Sequence, residues 1–140
     1  MIELKNVRKI YKTKIGETAA LDGVSLTFPD KGLVFITGKS GSGKTTMLNV
    51  IGGLDGFDEG EIIIDGRSFK DLTAKDYDNY RNTFIGVVFQ EYNLLPEYTV
   101  EKNIKIATEL QGIEATDEQV DSLLSQVEIL PYKKRLPSQL

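Results

Sequence analysis

Cysteine and histidine are both absent from the 140 residues of this chain. The absence of cysteine excludes disulfide bonds and thiolate metal sites. The absence of histidine removes the side chain that most often serves as a general base near neutral pH. Both absences narrow the kinds of catalytic and metal site that these residues can form.

Long apolar runs and an excess of basic charge are also missing. No apolar stretch approaches the length that crosses a membrane, and the N-terminal MIELKNVRKIYK lacks the apolar core of a signal peptide. The net charge of −4 argues against general nucleic-acid binding. The one dense basic cluster, residues 133–135, is interpreted as a solvated segment. We expect a soluble, cytoplasmic chain that meets a membrane only through a partner.

What the sequence does contain is the pattern of a mixed α/β protein. Hydrophobic residues make up 40% and charged residues 27%, as in ordinary globular chains. Alternation or apolar runs predict strands in IELKNV, AALDGVSLTF, GLVFIT, GEIIIDG and FIGVVF. The second of these has a turn or bulge near Asp22-Gly23, and GEIIIDG ends in an Asp-Gly turn. Helical spacing predicts helices in KTTMLNVIG, AKDYDNYRN, the stretch after Thr99, and the stretch after the capping box TDEQ.

The strongest motif is GKSGSGKT, Gly38 to Thr45, which fits the phosphate-loop pattern G-x-x-x-x-G-K-[ST]. Average composition produces those fixed positions by chance in on the order of one in a few hundred chains of this length. Here the motif also follows an apolar strand and opens an amphipathic helix. The alternative, a glycine-rich turn with a surface lysine, is much weaker.

Each residue type in the loop has a physical role. Gly38, Gly41 and Gly43 permit a backbone path and a close approach that a Cβ would block. The backbone N–H groups and the helix N-terminus favour anions. Lys44 can reach the β- and γ-phosphates, and the Thr45 hydroxyl can ligate Mg²⁺. The predicted nucleotide-binding residues of the loop are Gly38, Lys39, Ser40, Gly41, Ser42, Gly43, Lys44, Thr45 and Thr46.

The phosphate loop alone leaves several classes of protein open. A small phosphoryl-transfer kinase would gather arginines around the phosphate, whereas the arginines here are scattered and no acceptor-site motif accompanies them. A non-catalytic nucleotide-binding or interaction module would need no catalytic residues, so the sequence does not exclude this class.

Several further segments together make the sequence resemble the ATP-binding domain of ABC transporters, in the lipoprotein-release and macrolide-export branch. They are IYK, ALDGVSLTF, GKSGSGKTTMLNVIGGLDGFDEGEIIIDG, IGVVFQEYNLLPEYTVEKNI and LPSQL, and together they run from residue 2 to residue 140. One departure is Phe57-Asp58, where relatives often carry proline. The resemblance implies Mg-ATP binding, a membrane permease partner and a second ATP-binding domain as dimer partner, and no nucleic acid.

The resemblance adds two site residues. Gln90 matches the glutamine that the family uses as a Mg²⁺ ligand and coupling residue, so Lys44 and Gln90 are the expected catalytic residues. Tyr11 matches the adenine-stacking aromatic; the alternative is an aromatic packed near the sheet edge. The apolar side chains in residues 92–98 are candidates for permease contact or for ordinary loop packing.

The resemblance also implies a fold and a division of the chain. We expect the ABC-type α/β P-loop core with an antiparallel β segment at the N-terminus and a helical subdomain at the C-terminus. Residues 1–96 would form the β-rich core and residues 97–140 the helical subdomain. LPSQL matches the approach to the family signature LSGGQ, so we expect the later core strands and the catalytic acidic residues to be missing from this stretch. The 140 residues would then bind ATP without efficient hydrolysis, at the inner membrane face through the permease.

Overall fold

A computed structural model describes residues 1–14, 16–70 and 72–140. The contacts divide the chain into two compact units, residues 1–85 and 86–140. In chain order, the strands and α-helices of the described residues are β1 Ile2–Thr13, β2 Gly16–Phe28, α1 Lys44–Ile51, β3 Glu59–Ile64, β4 Arg67–Ser68, α2 Ala74–Thr83, α3 Val100–Glu109 and α4 Asp117–Gln126.

The first unit is built on an antiparallel sheet with strand order β2-β1-β3-β4. Strand β1 pairs with both β2 and β3, so its inward-facing side chains lie at the centre of the sheet. Leu4, Val7 and Ile62 are almost completely buried there and pack with Val50 of α1. Burial of this apolar surface is the main force that holds the sheet to the helix.

Two turn predictions are confirmed in this sheet. The bulge falls where the register slips by one residue, with Val7 opposite Val24 and Lys9 opposite Leu21. Gly23 has φ +70 at that point. The turn between β3 and β4 is the predicted Asp-Gly turn, with φ +48 at Asp65 and +78 at Gly66, which is typical of a tight hairpin.

Helices α1 and α2 form where the apolar spacing predicted them. Helix α1 ends at Gly52, and the next residue, Gly53, has φ +67. The hydroxyl of Tyr80 on α2 donates to the carbonyl of Ile51 at 2.9 Å, while its ring meets Phe69 edge-on with centroids 4.6 Å apart. Burial raises the pKa of Tyr80 to about 12, so this hydroxyl stays protonated and remains a donor.

Two strand predictions were wrong. Neither GLVFIT nor FIGVVF forms a strand, and Leu33, Phe35 and Val88 are 78%, 79% and 96% exposed. Buried parallel strands form only when hydrogen-bonded neighbours flank them. Within the described ranges these segments have no strand partner, because the sheet consists of β1 to β4 alone. Ile36 and Ile85 still pack against the core of the first unit.

The second unit has its own small core, made of Val100, Val120 and Leu124. The capping box predicted from TDEQ is confirmed at the start of α4. The Thr116 hydroxyl accepts from the backbone N–H of Gln119 at 3.3 Å, and the Gln119 side chain accepts from the backbone N–H of Thr116 at 2.9 Å. This reciprocal pair satisfies donors that the first turn would otherwise leave open.

The first turn of α3 is held by a distant segment of the same unit. The N–H of Val100 donates to the carbonyl of Arg135 at 2.9 Å, and the N–H of Glu101 donates to the carbonyl of Lys133 at 3.0 Å. The buried Glu101 carboxylate is paired with Lys105, Lys133 and Lys134. The hydrogen bond from Lys134 lowers the pKa of Glu101, against the opposing effect of burial. Residues 133–135, expected to be a solvated basic segment, thus include the partners of a buried acid.

Candidate nucleotide-binding site

The glycine-rich loop lies between the irregular segment 33–37 and the first turn of α1. Gly41 and Gly43 have φ +76 and +84, which residues with a Cβ rarely adopt. At Gly43 the space is also closed, because a Cβ there would lie 2.3 Å from the backbone oxygen of Ala20 on β2. The loop therefore lies directly against the strand β2.

Lys44 folds back over the loop that precedes it. Its Nζ donates to the carbonyl of Gly38 at 2.8 Å and to the carbonyl of Lys39 at 2.7 Å, and it lies 3.4 Å from the Ser42 hydroxyl. These contacts hold the ammonium at the centre of the loop by backbone atoms rather than by a carboxylate. Its positive charge is therefore not cancelled by a neighbouring anion in these contacts.

The N-terminus of α1 offers further positive potential. Gly43 is the N-cap residue, no described side chain caps the helix, and its first turn contains no acidic residue. The first N–H groups of an uncapped helix need acceptors from outside the helix. Phosphate oxygens are suitable acceptors, because the helix dipole also favours negative charge there. Thr45 is exposed in this turn and Thr46 is half-buried.

Tyr11 lies on β1 in the same unit as the loop. Tyr11 is paired with Thr18 on β2. Thr18 is close in sequence to Ala20, whose backbone lies against Gly43. The ring is 39% exposed, as a stacking surface must be, and the hydroxyl donates to Asp55 Oδ2 at 2.8 Å. Sequence reasoning did not identify Asp55, which lies in the turn after α1.

Asp55 also binds Lys9, with Nζ and Oδ1 2.7 Å apart. Burial alone would raise the pKa of Asp55, but hydrogen bonds from Lys9 and Tyr11 outweigh it and hold the pKa below its ordinary value. Burial would likewise lower the pKa of Lys9, yet the contact with Asp55 raises it. Both groups are therefore charged at neutral pH.

Gln90 lies in the second unit, exposed, in the turn where the N–H of Tyr92 meets the carbonyl of Phe89 at 3.3 Å. The structure thus places the phosphate loop and Tyr11 in one unit and Gln90 in the other. Tyr92 and Asn93 follow with φ +58 and +50, so the backbone makes a tight left-handed turn there.

The apolar loop after Gln90 is held by Asn103 of α3. The Asn103 amide nitrogen lies within 3.1 Å of the carbonyls of Leu95, Tyr98 and Thr99, and its Oδ1 accepts from the N–H of Leu95 at 2.8 Å. Tyr92 is 78% exposed, and Leu94, Leu95 and Tyr98 are between 38% and 47% exposed. One side chain therefore fixes the backbone of a loop that presents apolar groups outward.

The residues of the loop fit a nucleoside triphosphate with its Mg²⁺. A Cβ at Gly38 would lie 2.8 Å from the Ser42 hydroxyl, so the glycine keeps the loop open at a point where a side chain would fill it. Among the described residues no three acidic side chains gather to hold a metal ion. Mg²⁺ commonly binds through one or two protein ligands together with substrate phosphates. The exposed Thr45 hydroxyl fits one of those protein positions.

The family model for ABC transporters matches residues 21–140. The chain belongs to the ABC transporter family. Curated relatives match the whole chain. MG065 of Mycoplasma genitalium, named as an ABC transporter ATP-binding protein, is 39% identical, and the chain covers 30% of it. The lipoprotein-releasing system ATP-binding protein LolD of Alcanivorax borkumensis is 35% identical, with 62% covered. The methionine import ATP-binding protein MetN of Legionella pneumophila is 40% identical, with 40% covered.

Solved ABC cassettes show the same fold. The dimeric post-hydrolysis structure of the ATP-binding cassette MJ0796, bound to ADP and Pi, superposes with a TM-score of 0.88 at 36% identity. All of this chain is aligned, to 63% of the MJ0796 chain. The α/β fold expected from the ABC resemblance is therefore confirmed. The chain spans less than two thirds of the length of each of these relatives.

In the ranges that the structure describes, no helix combines the length and the apolar character needed to cross a membrane.

Replacing Gly43 with alanine tests the contact between the phosphate loop and β2. Gly41→Ala is the matched control, because Gly41 also has a positive φ but a Cβ there meets nothing within 4 Å. We expect Gly41→Ala to cost about 1–2 kcal/mol of unfolding free energy through left-handed strain alone. Gly43→Ala should cost roughly 1–3 kcal/mol more through overpacking against Ala20. Urea denaturation measures both, and equal losses would contradict the close approach.

Proposed function

We propose that residues 1–140 form the ATP-binding part of an ABC exporter, which couples Mg-ATP binding and hydrolysis to a membrane permease. The observation that carries the proposal is the Lys44 ammonium, held over the loop by the carbonyls of Gly38 and Lys39 beside an uncapped helix N-terminus. This arrangement is suited to the β- and γ-phosphates of a nucleotide.

Each site residue has a proposed role. Gly38 to Thr46 hold the phosphates, Tyr11 stacks on the adenine, and Lys44 stabilises charge on the transferred phosphoryl group. Thr45 and Gln90 are the proposed Mg²⁺ ligands. Lys44 and Gln90 are the proposed catalytic residues.

The proposed partners follow from the same family. They are a permease, contacted by residues 91–99, and a second ATP-binding domain that closes over the nucleotide. We place the protein in the cytoplasm at the inner face of the cell membrane, held there through the permease. Residues 1–96 are proposed as the nucleotide-binding core and residues 97–140 as the helical subdomain. Export is proposed from the resemblance of the sequence to the lipoprotein-release and macrolide-export branch; the relative MetN is named for import.

ATP binding is tested at Lys44. Lys44→Ala should weaken Mg-ATP binding by roughly tenfold to a hundredfold, because a charge-assisted contact to phosphate is lost. Isothermal titration calorimetry measures the affinity. Lys70→Ala, an exposed lysine outside the loop, is the control and should leave the affinity unchanged. An unchanged ATP affinity in Lys44→Ala would remove the nucleotide-binding assignment.

We further propose that residues 1–140 bind ATP without efficient turnover. The sequence contains no histidine that could sense the γ-phosphate, and the acidic catalytic motif that the ABC resemblance implies is not among residues 1–140. Losing water positioning and charge stabilisation together costs several orders of magnitude in rate. Phosphate release from this polypeptide should be negligible, and a longer polypeptide with the family's signature and acidic motifs should hydrolyse ATP. Steady hydrolysis by residues 1–140 that Lys44→Ala abolishes would refute this.

The permease contact is tested by cysteine cross-linking, for which the chain offers a cysteine-free background. Single cysteines at Tyr92 and Leu94 should cross-link to the permease in membranes that contain the whole transporter, since both side chains are exposed on the Asn103-held loop. Cysteine at Leu123, an exposed apolar position on α4, is the matched control. Cross-links at Leu123 with none at Tyr92 or Leu94 would place the contact elsewhere.

A further inference from the structure

The turn that follows α1 contacts the strand that carries Tyr11 at two acidic residues. Asp58 Oδ2 accepts from the N–H of Ile10 at 2.6 Å, and the N–H of Asp58 donates to the carbonyl of Arg8 at 2.8 Å. Asp55 accepts from Tyr11 and Lys9, as described above. Strand β1 is therefore bound by this turn at residues 8–11, which end at the proposed base platform.

The same turn is also attached to the helix that begins at the phosphate loop. The N–H groups of Leu54 and Asp55 both donate to the carbonyl of Asn49 in α1, at 2.8 and 3.2 Å. A continuous set of hydrogen bonds thus leads from α1 through Asp55 to the Tyr11 hydroxyl. The position of the ring is set relative to the helix whose first turn would meet the phosphates.

Lys9 restricts the ring further. Its Nζ lies 5.2 Å from the centroid of the Tyr11 ring, within the range of a cation–π contact, and its side chain is only 13% exposed. Asp55 holds this ammonium in place by an ion pair of 2.7 Å. One face of the ring is therefore occupied by Lys9, and a planar base has the opposite face available.

The geometry points to Asp55 as a positioning residue for nucleotide recognition: it fixes the Tyr11 ring through its hydroxyl and keeps Lys9 on one face, so that a purine base stacks on the other. This inference rests on the proposed role of Tyr11 in ATP binding. Asp55 acts through Tyr11 and touches no phosphate. A ring whose orientation is set before the base arrives loses less conformational freedom on binding, which strengthens affinity.

The test compares Mg-ATP with inorganic tripolyphosphate, which has the phosphates and lacks the base. We expect Tyr11→Phe and Asp55→Ala each to weaken ATP binding by roughly three- to tenfold, the effect of one hydrogen bond. Tripolyphosphate affinity should stay within about twofold, because the phosphate loop is untouched. Asp55→Asn should fall between wild type and Asp55→Ala, since its amide oxygen still accepts from the Tyr11 hydroxyl.

A double-mutant cycle then separates positioning from general destabilisation. If Asp55 acts through the Tyr11 hydroxyl, Tyr11→Phe combined with Asp55→Ala should bind ATP no more weakly than Asp55→Ala alone. Asp22→Ala is the matched control, because the exposed Asp22 on β2 forms an ion pair of 3.0 Å with Arg8 on β1, the strand that carries Tyr11. This variant should change neither the ATP affinity nor the tripolyphosphate affinity.

Three outcomes would overturn the inference. They are additive losses in the double variant, an equal loss of tripolyphosphate affinity in Asp55→Ala, or full ATP affinity in Tyr11→Phe. Tyr11→Phe retains the ring and the sheet, so it decides the question even if Asp55→Ala does not fold. Tyr11→Ala distinguishes the stacking role of Tyr11 from the positioning role of Asp55. If it leaves ATP affinity unchanged, the base platform itself is wrong; if it weakens ATP while the Asp55 variants do not, only the positioning role is lost.

Discussion

The close approach of Gly43 to the backbone of Ala20 is the constraint on which the candidate site depends. It puts the start of α1 directly on β2, and β2 is hydrogen-bonded to β1, which carries Tyr11. The loop that would hold phosphates and the ring that would hold a base are therefore parts of one sheet-and-helix unit. Any side chain at residue 43 separates these two parts, because backbone atoms cannot move aside as a flexible side chain can.

Local sequence patterns correctly predicted those elements whose hydrogen-bond partners lie only a few residues away along the chain. The capping box at Thr116, the turn at Asp65 and the helix after Lys44 depend on residues within a few positions, so the sequence around them is sufficient. The two apolar segments 32–37 and 84–89 failed as strands for the opposite reason. Their apolar character indicates burial, but a strand also needs a hydrogen-bonded neighbour, and no pattern within six residues can supply one.

The site was predicted unevenly for the same physical reason. The phosphate loop is contiguous, so its glycines and Lys44 could be identified together from one motif. Asp55 was missed because its partner is identified only once the chain is folded: Tyr11 lies 44 residues away. Asn103 was missed although its partners lie four to eight residues away, because hydrogen bonds to the backbone of an irregular loop leave no periodic sequence pattern. For Asp55 the sequence carried no usable signal, since an aspartate beside glycines in a turn is ordinary. For Asn103, a polar residue between Val100 and Ile104 was a weak signal of a half-buried hydrogen-bonding role.

Helix α3 in the second unit is a shared support for two segments that are far apart along the chain. Its Asn103 holds the backbone of the exposed apolar loop, and its first-turn N–H groups and Glu101 hold residues 133–135. Neither attachment depends on the identity of the residues that the loop presents, because both are made to backbone carbonyls or to one buried acid. The loop's outward side chains can therefore change without disturbing these attachments, so that α3 and the segment leading to LPSQL keep one geometry.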